Sequence, residues 1–253
     1  MNMETKKPRI LLFDIETFAN LGWVWGKYEQ NVIRFKDHWF IISFAYKWVD
    51  ENKIYSYSLP SFSLYKKEPK NDRELCRKLW ELFNEADIVV AHNGRAFDVK
   101  KSMARFIQHE FKPPAPFKVV DTKLVAKRYF KFDSNRLDDL GQYLGLGEKI
   151  KHEGFTMWLD CVERKNMKAW KKMTLYNRQD IILLSKIYLK MRPWTDNHPN
   201  SNTIMGTTSN CPVCSSEKTQ RRGFAVNRVT RFQKFQCQDC GSWFKKPLSG
   251  VAR

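Results

Sequence analysis

A short apolar run near the N-terminus, residues 11–17, is interrupted by two acidic residues that stand one residue apart. Together with the residues before it, the run predicts a buried β-strand over residues 8–15. Because alternate side chains of a strand lie on the same face, we expect Asp14 and Glu16 to share one face. Carboxylates this close repel each other unless a positive charge lies between them, and a divalent cation is the usual one. The alternative is a solvated pair of surface acids.

The order of the patterns that follow predicts a mixed α/β domain. Further strands are expected at residues 22–26, 38–49 and 53–59, which are rich in aromatic and β-branched residues. Beyond them, helical spacing of apolar residues alternates with short apolar strands. The short strands are predicted at residues 88–91 and 119–120, and the helices at 71–86 with Asn71 as N-cap, 99–107, 135–144 and 153–191, the last being most regular from Thr174. This order favours a sheet with antiparallel hairpins on one side and parallel strands on the other, flanked by helices.

The charge of the chain indicates a polyanionic partner. The 253 residues include 45 Lys and Arg against 27 Asp and Glu, which gives a formal net charge of +18. This excess favours nucleic acid over a membrane surface, and a surface adapted for solubility is the alternative. No apolar run approaches the ~20 residues that span a bilayer, and the charged N-terminus lacks the pattern of a secretory signal. We therefore expect an intracellular, cytoplasmic protein with no membrane partner.

Two further acids fall where the predicted elements bring them towards the first pair. Asp98 follows the predicted strand at residues 88–91 and begins a helix. Asp180 lies within the last helix, and Tyr176 precedes it by four residues, so that both side chains share one helical face. Asp180 is followed by four apolar residues, and a carboxylate in such surroundings costs free energy unless its charge is used.

This ordered set of residues resembles the DnaQ-like 3′-to-5′ exonucleases, a family with a ribonuclease H-like fold. The match consists of Asp14-x-Glu16, then Asp98, then Tyr176-x-x-x-Asp180, and the resemblance covers about residues 8–191. It is to the tyrosine-type branch, called DEDDy. In the sister branch a histidine stands five residues before the last acid, where this chain has Leu175.

The resemblance implies catalysis by two Mg²⁺ or Mn²⁺ ions. In that family pattern Asp14 bridges both ions, while Glu16 and Asp180 complete the site that activates water. Asp98 would support the second ion, and Tyr176 would orient the attacking water through its hydroxyl group. With an ordinary phenol pKa near ~10, we expect the tyrosine to position water rather than act as a base.

Basic and amide residues near these acids are predicted to contact nucleic acid. For each basic cluster the alternative is a solvated helix face, and for Asn93 it is a turn. Asp121 fits either a supporting acid or the N-cap of the helix after it, and His92 is interpreted as structural. The predicted contacts in this part of the chain are Asn93, Lys100, Lys101, Arg105, Lys171 and Lys172.

Four of the six cysteines form two Cys-x-x-Cys pairs near the C-terminus, Cys211 with Cys214 and Cys237 with Cys240. Two such pairs predict one closed, tetrahedral, structural Zn²⁺ site. A redox dithiol or another metal is the alternative. Gly241 is expected to take a positive φ in the turn after the second pair. The other two cysteines, in helix-like patterns, are interpreted as small core residues.

The C-terminal segment resembles the zinc ribbons of transposase-associated DNA-binding proteins. The resemblance rests on the cysteine pairs, on Arg221-Arg222-Gly223 and on Trp243-Phe244. It implies that Arg221 and Arg222 contact nucleic acid, and a ribbon that docks a protein partner is the alternative. We predict an exonuclease domain over residues 1–192, a linker over 193–210 and the ribbon over 211–253.

The combined interpretation is a 3′-to-5′ exonuclease that acts on single-stranded 3′ ends, with DNA slightly favoured over RNA because of the resemblance of the ribbon. A structure-specific endonuclease of the same fold would use the same acids. A nucleic-acid-binding adaptor without catalytic activity is the alternative from a different class, and four intact acids argue against it.

Overall fold

The computed structural model describes residues 7–28, 31–151 and 153–248. The strands are β1 (Ile10–Thr17), β2 (Leu21–Trp23), β3 (Arg34–Asp37), β4 (Ile41–Trp48), β5 (Tyr55–Ser58), β6 (Ile88–Ala91), β7 (Lys118–Asp121), β8 (Thr219–Val226), β9 (Arg231–Cys237) and β10 (Trp243–Pro247). The helices are α1 (Arg73–Glu85), α2 (Asp98–Gln108), α3 (Thr122–Tyr129), α4 (Leu137–Tyr143), α5 (Phe155–Val162), α6 (Met167–Met191) and α7 (Ser201–Met205). Among the described residues, no helix has the length and apolar character that crossing a bilayer requires.

A five-stranded mixed sheet in the order β5-β4-β1-β6-β7 forms the centre of the larger part of the molecule. β4 pairs antiparallel with β5 and β1, whereas β6 pairs parallel with β1 and β7. The predicted mixed sheet flanked by helices is therefore confirmed. The apolar part of β1 is buried on both faces, as its central place in the sheet requires.

Each face of this sheet carries its own apolar cluster. On one face Phe13 and Phe44 pack with α1, α2 and the first half of α6, which contributes Trp170. On the other face Leu12 and Val90 pack with α3, α4 and the C-terminal half of α6. Burial of each large apolar side chain stabilises the fold by about 1.5–3 kcal/mol. Because α6 belongs to both clusters, the residues in its middle are held firmly against the sheet.

Several predicted element boundaries differ from the structure. α1 begins at Arg73, so its N-cap position is Asp72 rather than Asn71, although the side chain that accepts from the Arg73 amide is that of Asn71. The helical region predicted over residues 153–191 consists of two helices, α5 and α6, and α6 begins at Met167 because Asn166 caps it by accepting from two amides. The predicted strand over residues 22–26 is shorter, and its partner β3 was not predicted because its sequence is polar.

The segment predicted as a linker, residues 193–210, contains regular structure. It follows directly on the 3-10 turn Arg192–Trp194 and includes the short helix α7. His198 is buried, and its Nε2 atom lies 2.8 Å from the hydroxyl oxygen of Tyr188 on α6. The segment therefore packs against the end of α6, and the domain boundaries stay a prediction.

The C-terminal part is a three-stranded antiparallel sheet in the order β10-β9-β8. Phe235 and Phe244 stack across β9 and β10 with ring centroids 5.3 Å apart. A small buried cluster of Cys211, Val213 and Cys237 lies at one end of this sheet. So few buried apolar residues provide little stability by themselves.

Candidate active site

Three carboxylates meet between β1 and α6. Asp14 and Glu16 share one face of β1, and α6 brings Asp180 to them, so that one oxygen of each residue lies within 4.8 Å of the others. Asp180 is 1% exposed, although it is an acid. Strand alternation and the packing of α6 on the sheet thus bring together residues that are more than 160 positions apart in sequence.

Asp98 lies beside this group at the first position of α2. Its Oδ1 atom accepts a hydrogen bond from the backbone amide of Ile15, 3.2 Å away on β1 between the two strand acids. Asp98 is buried, and its negative charge raises the pKa of Asp14. It lies outside the compact group formed by the three other acids.

The charges of these four acids are compensated only in part. Burial, followed by the charges of Asp98, Asp180 and Glu16, raises the pKa of Asp14 well above its ordinary value. Burial and the Asp180 charge raise the pKa of Glu16 to about 8, and burial raises the pKa of Asp98 to about 7. The four acids therefore repel each other strongly when ionised.

A divalent cation fits this arrangement. Among the described residues, the buried Oδ1 atom of Asp180 has no hydrogen-bond partner, so an acceptor remains available in the group. Closely spaced carboxylate oxygens with raised pKa values are the ligands that hard cations prefer. The oxygen-only donor set fits Mg²⁺ or Mn²⁺, and the residues do not by themselves identify the ion.

Lys149 is a site residue that the sequence analysis missed. Its Nζ atom donates to Asp180 Oδ2 at 2.6 Å and to the hydroxyl oxygen of Tyr176 at 3.1 Å. Although burial alone would lower it, the neighbouring Asp180 carboxylate holds the pKa of Lys149 above its ordinary value. Lys149 lies in the loop after α4, where no periodic pattern or motif distinguishes it from the other basic residues.

Asn177 is a second missed residue. Its Nδ2 atom donates to Asp14 Oδ2 at 3.1 Å, and the Ser43 hydroxyl donates to its Oδ1 atom. Asn177 is fully buried, so its hydrogen bonds with Ser43 and with Asp14 fix the orientation of the Asp14 carboxylate. Its spacing of three residues before Asp180 places it on the same helical face, which is the signal that could have identified it.

Tyr176 lies where the sequence placed it, one helical turn before Asp180. Its ring packs edge-on against Trp158, with centroids 6.3 Å apart. Burial, followed by the Asp180 charge, raises its pKa above the ordinary value. The phenol therefore stays protonated at neutral pH, which suits a residue that positions water.

Among the predicted nucleic-acid contacts, Arg105 requires a correction. Its side chain is buried, and its guanidinium group forms a bidentate ion pair with Asp72 at the start of α1. It therefore serves the core rather than the surface. Lys100, by contrast, is exposed on α2, and the Lys101 Nζ atom lies 3.5 Å from the ring centroid of Trp39.

Of the remaining predicted contacts, some are exposed, whereas others interact with another residue of the protein. Lys171 is exposed on α6, whereas Lys172 pairs with Glu153. Arg221 and Arg222 are both exposed on β8. Asn93 has a positive φ of 67°, and its Oδ1 atom accepts from Lys123 Nζ at 3.2 Å, as expected of a turn residue.

Asp121 and His92 organise the loops next to the acids. Asp121 caps α3 by accepting from the amides of Lys123 and Leu124, and it also accepts from the amides of Asn93 and Arg95. The observed geometry is thus that of an N-cap. The two ring nitrogens of His92 each lie 2.9 Å from a partner, the Thr122 hydroxyl at the start of α3 and the Asn135 carbonyl oxygen, and burial lowers its pKa to about 4.

The four C-terminal cysteines form a second group with metal-binding geometry. Cys211 Sγ lies 3.8 Å from Cys240 Sγ, and Cys214 Sγ lies 3.6 Å from Cys237 Sγ. Four thiolates around one Zn²⁺ at ~2.3 Å would be about 3.8 Å apart, so the spacing fits a tetrahedral site. Gly241 has a positive φ of 79°, as predicted. The arrangement is compatible with a zinc ribbon.

Comparison with known proteins agrees with this fold. A family model described as RNase_H superfamily matches residues 29–192, more than half of the chain, including Asp98, Tyr176 and Asp180. The structure is similar to the family B DNA polymerase from the hyperthermophilic archaeon Pyrobaculum calidifontis, with a TM-score of 0.51 and 13% identity. The match covers 88% of this chain and 32% of the polymerase, so the chain spans about a third of its length, and the likeness shows the fold alone. A search of curated proteins gave no match. The chain belongs to the RNase_H superfamily.

Proposed function

We propose that the protein is a 3′-to-5′ exonuclease of the DEDDy type, which hydrolyses phosphodiester bonds of nucleic acid with two Mg²⁺ or Mn²⁺ ions. The observation that carries this proposal is the buried group of Asp14, Glu16 and Asp180, with Asp98 beside it and its charge only partly compensated. Membership of the superfamily supports nuclease-type chemistry in general. Tyr176, one turn before Asp180, supports the DEDDy type.

The four acids would hold the two metal ions. Asp14 is the residue suited to both, because it clusters with Glu16 and Asp180 and is also close enough to Asp98 for that charge to raise its pKa. When bound, the ions supply charge neutralisation at the phosphate and an activated water nucleophile. Asn177 keeps the Asp14 carboxylate in one orientation through its hydrogen bond. The site is therefore organised before any ligand binds.

Tyr176 and Lys149 supply groups that the carboxylates cannot. The protonated Tyr176 hydroxyl is placed to orient the attacking water near Asp180. The Lys149 ammonium group lies within reach of both side chains and offers positive charge to a phosphate entering the site. Together the hydroxyl and ammonium groups would allow the acidic site to bind a polyanion.

The deciding experiment is degradation of 5′-labelled single-stranded DNA and RNA oligonucleotides with Mg²⁺ or Mn²⁺, with Asp14→Ala tested beside the wild type. We expect a metal-dependent ladder that shortens from the 3′ end and is absent from the variant. Asp133→Ala, which removes an exposed carboxylate elsewhere, is the matched control and should degrade like the wild type. Retained cleavage by Asp14→Ala would refute the site assignment.

The same assay separates the alternatives. Cleavage of a circular single strand, which has no 3′ end, would establish the endonuclease instead. Substrate that stays intact under every condition, but is bound, would support the adaptor without catalytic activity. Comparing DNA with RNA shows which sugar is preferred.

The C-terminal sheet is proposed to hold one structural Zn²⁺ through Cys211, Cys214, Cys237 and Cys240 and to bind the same nucleic acid. Its small buried cluster makes a metal valuable for its stability. Exposed Arg221 and Arg222 provide positive charge on β8. Elemental analysis of the purified full chain should give one zinc per molecule, and Cys211→Ser with Cys240→Ser should abolish it.

The role of the ribbon is tested by Arg221→Ala with Arg222→Ala in the full chain. We expect weaker oligonucleotide binding with a reduced salt dependence, since two phosphate contacts are lost. Arg77→Ala with Lys78→Ala removes the same charge from α1 and is the matched control. Unchanged binding by the β8 variant would favour the alternative, a ribbon that docks a protein.

A further inference from the structure

The hairpin formed by β2 and β3 exposes an unusual number of aromatic side chains. Trp23 is 64% exposed, Trp25 85% and Tyr28 86%, values that leave their ring faces uncovered within the part of the chain that the structure describes. An indole ring loses favourable burial free energy when it faces water, so several such rings on one small element indicate a binding surface.

The fold of the hairpin itself explains only part of its apolar content. A Cβ atom at Gly22 would lie 2.4 Å from Val32 Cγ1 and 3.4 Å from Phe35 Cδ1, so these two side chains close over the glycine on one face. Trp23 pairs across the ladder with Arg34 and lies on the opposite face, because neighbouring strand residues alternate. Trp23 and Trp25 are thus not needed to cover Gly22.

The charge of the hairpin favours a polyanion as its partner. Lys27 and Lys36 flank the exposed rings, and Arg34 lies beside Trp23. The sequence of the hairpin also includes two acids, Glu29 and Asp37, of which Asp37 is paired with Lys70. Cations interleaved with exposed aromatic rings suit single-stranded nucleic acid, in which phosphates bind the cations and bases stack on the rings. An apolar protein partner would gain nothing from the three cations.

The hairpin is continuous with the proposed active site. It follows directly on β1, and Trp23 is only seven residues beyond Glu16, which limits their Cα separation to about 25 Å. At its base the Trp39 amide donates to Asn20 Oδ1, and the Lys101 Nζ atom lies between the rings of Trp39 and Phe97, at 3.5 and 5.8 Å from their centroids. Aromatic and cationic groups therefore extend from Phe97, the residue before Asp98, to Trp39 at the base of the hairpin.

We infer that the β2–β3 hairpin binds the single strand upstream of its 3′ end by stacking bases on Trp23 and Trp25. This inference rests on the proposed function, because it takes the substrate strand as the occupant. It gives the enzyme a contact that depends on unpaired bases. A strand of several nucleotides can stack bases on the hairpin while its 3′ end lies at the four acids.

The test measures binding separately from cleavage. In the Asp14→Ala background without added Mg²⁺ or Mn²⁺, Trp23→Ala plus Trp25→Ala should raise the Kd for a 5′-fluorescein oligo(dT) of twenty nucleotides by about 5- to 100-fold, by fluorescence anisotropy. Trp23→Phe plus Trp25→Phe retains stacking and should restore most of the affinity. Trp194→Ala, which removes an exposed indole beyond the end of α6, is the matched control and should leave the Kd unchanged.

Kinetics with the four acids intact provide a second measurement. The alanine pair should raise KM for the twenty-nucleotide strand with little change in kcat at saturation, whereas a trinucleotide too short to reach the hairpin should be degraded equally by both proteins. Quenching of tryptophan fluorescence by oligo(dT) should also decrease in the alanine pair.

The possible failures are distinguishable. Wild-type cleavage with a Kd that the alanine pair leaves unchanged overturns the hairpin inference and leaves the exonuclease intact. Hairpin-dependent binding without cleavage by the wild type overturns the proposed function and retains the hairpin as a binding surface. Unchanged oligonucleotide binding together with loss of self-association, measured by sedimentation, would show that the tryptophans contact a second copy of the chain, and would overturn the inference.

Discussion

Two buried acidic groups lie close to the same sheet, and their electrostatics are opposite. Asp72 accepts from the Ile41 amide at 2.8 Å and from two nitrogens of Arg105, and its Oδ1 atom lies 2.7 Å from His109 Nε2. Burial alone would raise its pKa, but the hydrogen bonds from His109 and Arg105 hold the pKa of Asp72 below its ordinary value. The Asp14 group has raised pKa values and Lys149 as its nearby cation.

The difference is the one expected between a structural carboxylate and one that binds a cation. Asp72, Cys76 and His109 are as tightly clustered as Asp14, Glu16 and Asp180, so clustering of potential ligands alone does not identify a metal site. What distinguishes the Asp14 group is the shortage of hydrogen-bond donors and of positive charge around its carboxylates. A carboxylate whose acceptor sites are filled by the protein has no use for a cation, whereas one left with an unpaired buried oxygen does.

The largest expected effect comes from neutralising Asp14 without changing its shape. Asp14→Asn should lower the cleavage rate on the order of 10³-fold, because a charged group that stabilises the transition state is lost. The stability of the metal-free protein should not fall, since one repelling charge is removed and Asn177 can still donate to the new amide oxygen. Cleavage assays with thermal unfolding in EDTA test both statements. If Asp14→Asn instead destabilises the metal-free protein, the Asp14 carboxylate stabilises the fold as that of Asp72 does, and the two acidic groups do not differ in this respect.

Removing Asp72 should produce the converse result. Asp72→Ala leaves the buried Arg105 without its partner and should lower the free energy of unfolding by about 3–5 kcal/mol. Because the pair lies in the core rather than at the acids proposed to bind metal, kcat of the folded fraction should be unchanged at low temperature. Urea unfolding measures the first effect and a steady-state assay the second. Asp133→Ala, at an exposed site, controls for loss of a charge.

These two groups also show how far the sequence could be interpreted. The acids at 14, 16, 98 and 180 were placed correctly on their elements because strand alternation and four-residue helical spacing are local patterns. Arg105 was interpreted as a surface cation because its partner, Asp72, is 33 residues away and no local pattern connects them. Whether a helical arginine faces water or a buried acid is decided by the packing of α1 against α2.

Other misses have the same origin. Lys149 reaches Asp180 from a loop that contains three glycines with positive φ, and loop geometry has no period to detect. Strand β3 is largely exposed and polar, so it lacks the apolar run by which β1 and β6 were found. The mixed sheet could be predicted because its central strands are apolar throughout, whereas the hairpin could not be predicted because only its own cross-strand contacts define it.

The pH dependence of stability should differ between the two groups. The pKa of Glu16 rises from 4.5 to about 8 and that of Asp98 from 3.8 to about 7, so the folded protein keeps protons that the unfolded chain has lost. The stability of the metal-free protein should therefore fall steadily as pH rises from about 4 to 8. The Asp72 contribution has the opposite sign and is lost only as pH falls below its ordinary pKa.

Magnesium provides the check on this pH profile. If the acids of the Asp14 group bind the ion, saturating Mg²⁺ should stabilise the protein more at pH 8 than at pH 5 and flatten the profile between them. Urea unfolding at several pH values, with Mg²⁺ or EDTA, gives the comparison. A profile in EDTA that is flat from pH 5 to 8 would contradict the electrostatic difference between the groups.

The smallest effect is expected at Lys149, the cation that partly compensates the Asp14 group. Lys149→Met keeps the length of the side chain but removes its hydrogen bonds to Asp180 and Tyr176, and should destabilise the metal-free protein at pH 8 by about 1–2 kcal/mol. Because the ammonium group and a divalent ion both interact with Asp180, loss of the lysine should also tighten Mg²⁺ binding, measured by calorimetric titration. Saturating Mg²⁺ should then remove most of the stability difference.

Lys151→Met, at an exposed position two residues further along the same loop, should change neither quantity. Weaker Mg²⁺ binding in Lys149→Met would mean that the lysine supports the metal site rather than competing with it, and the two acidic groups would then differ less than their pKa values indicate.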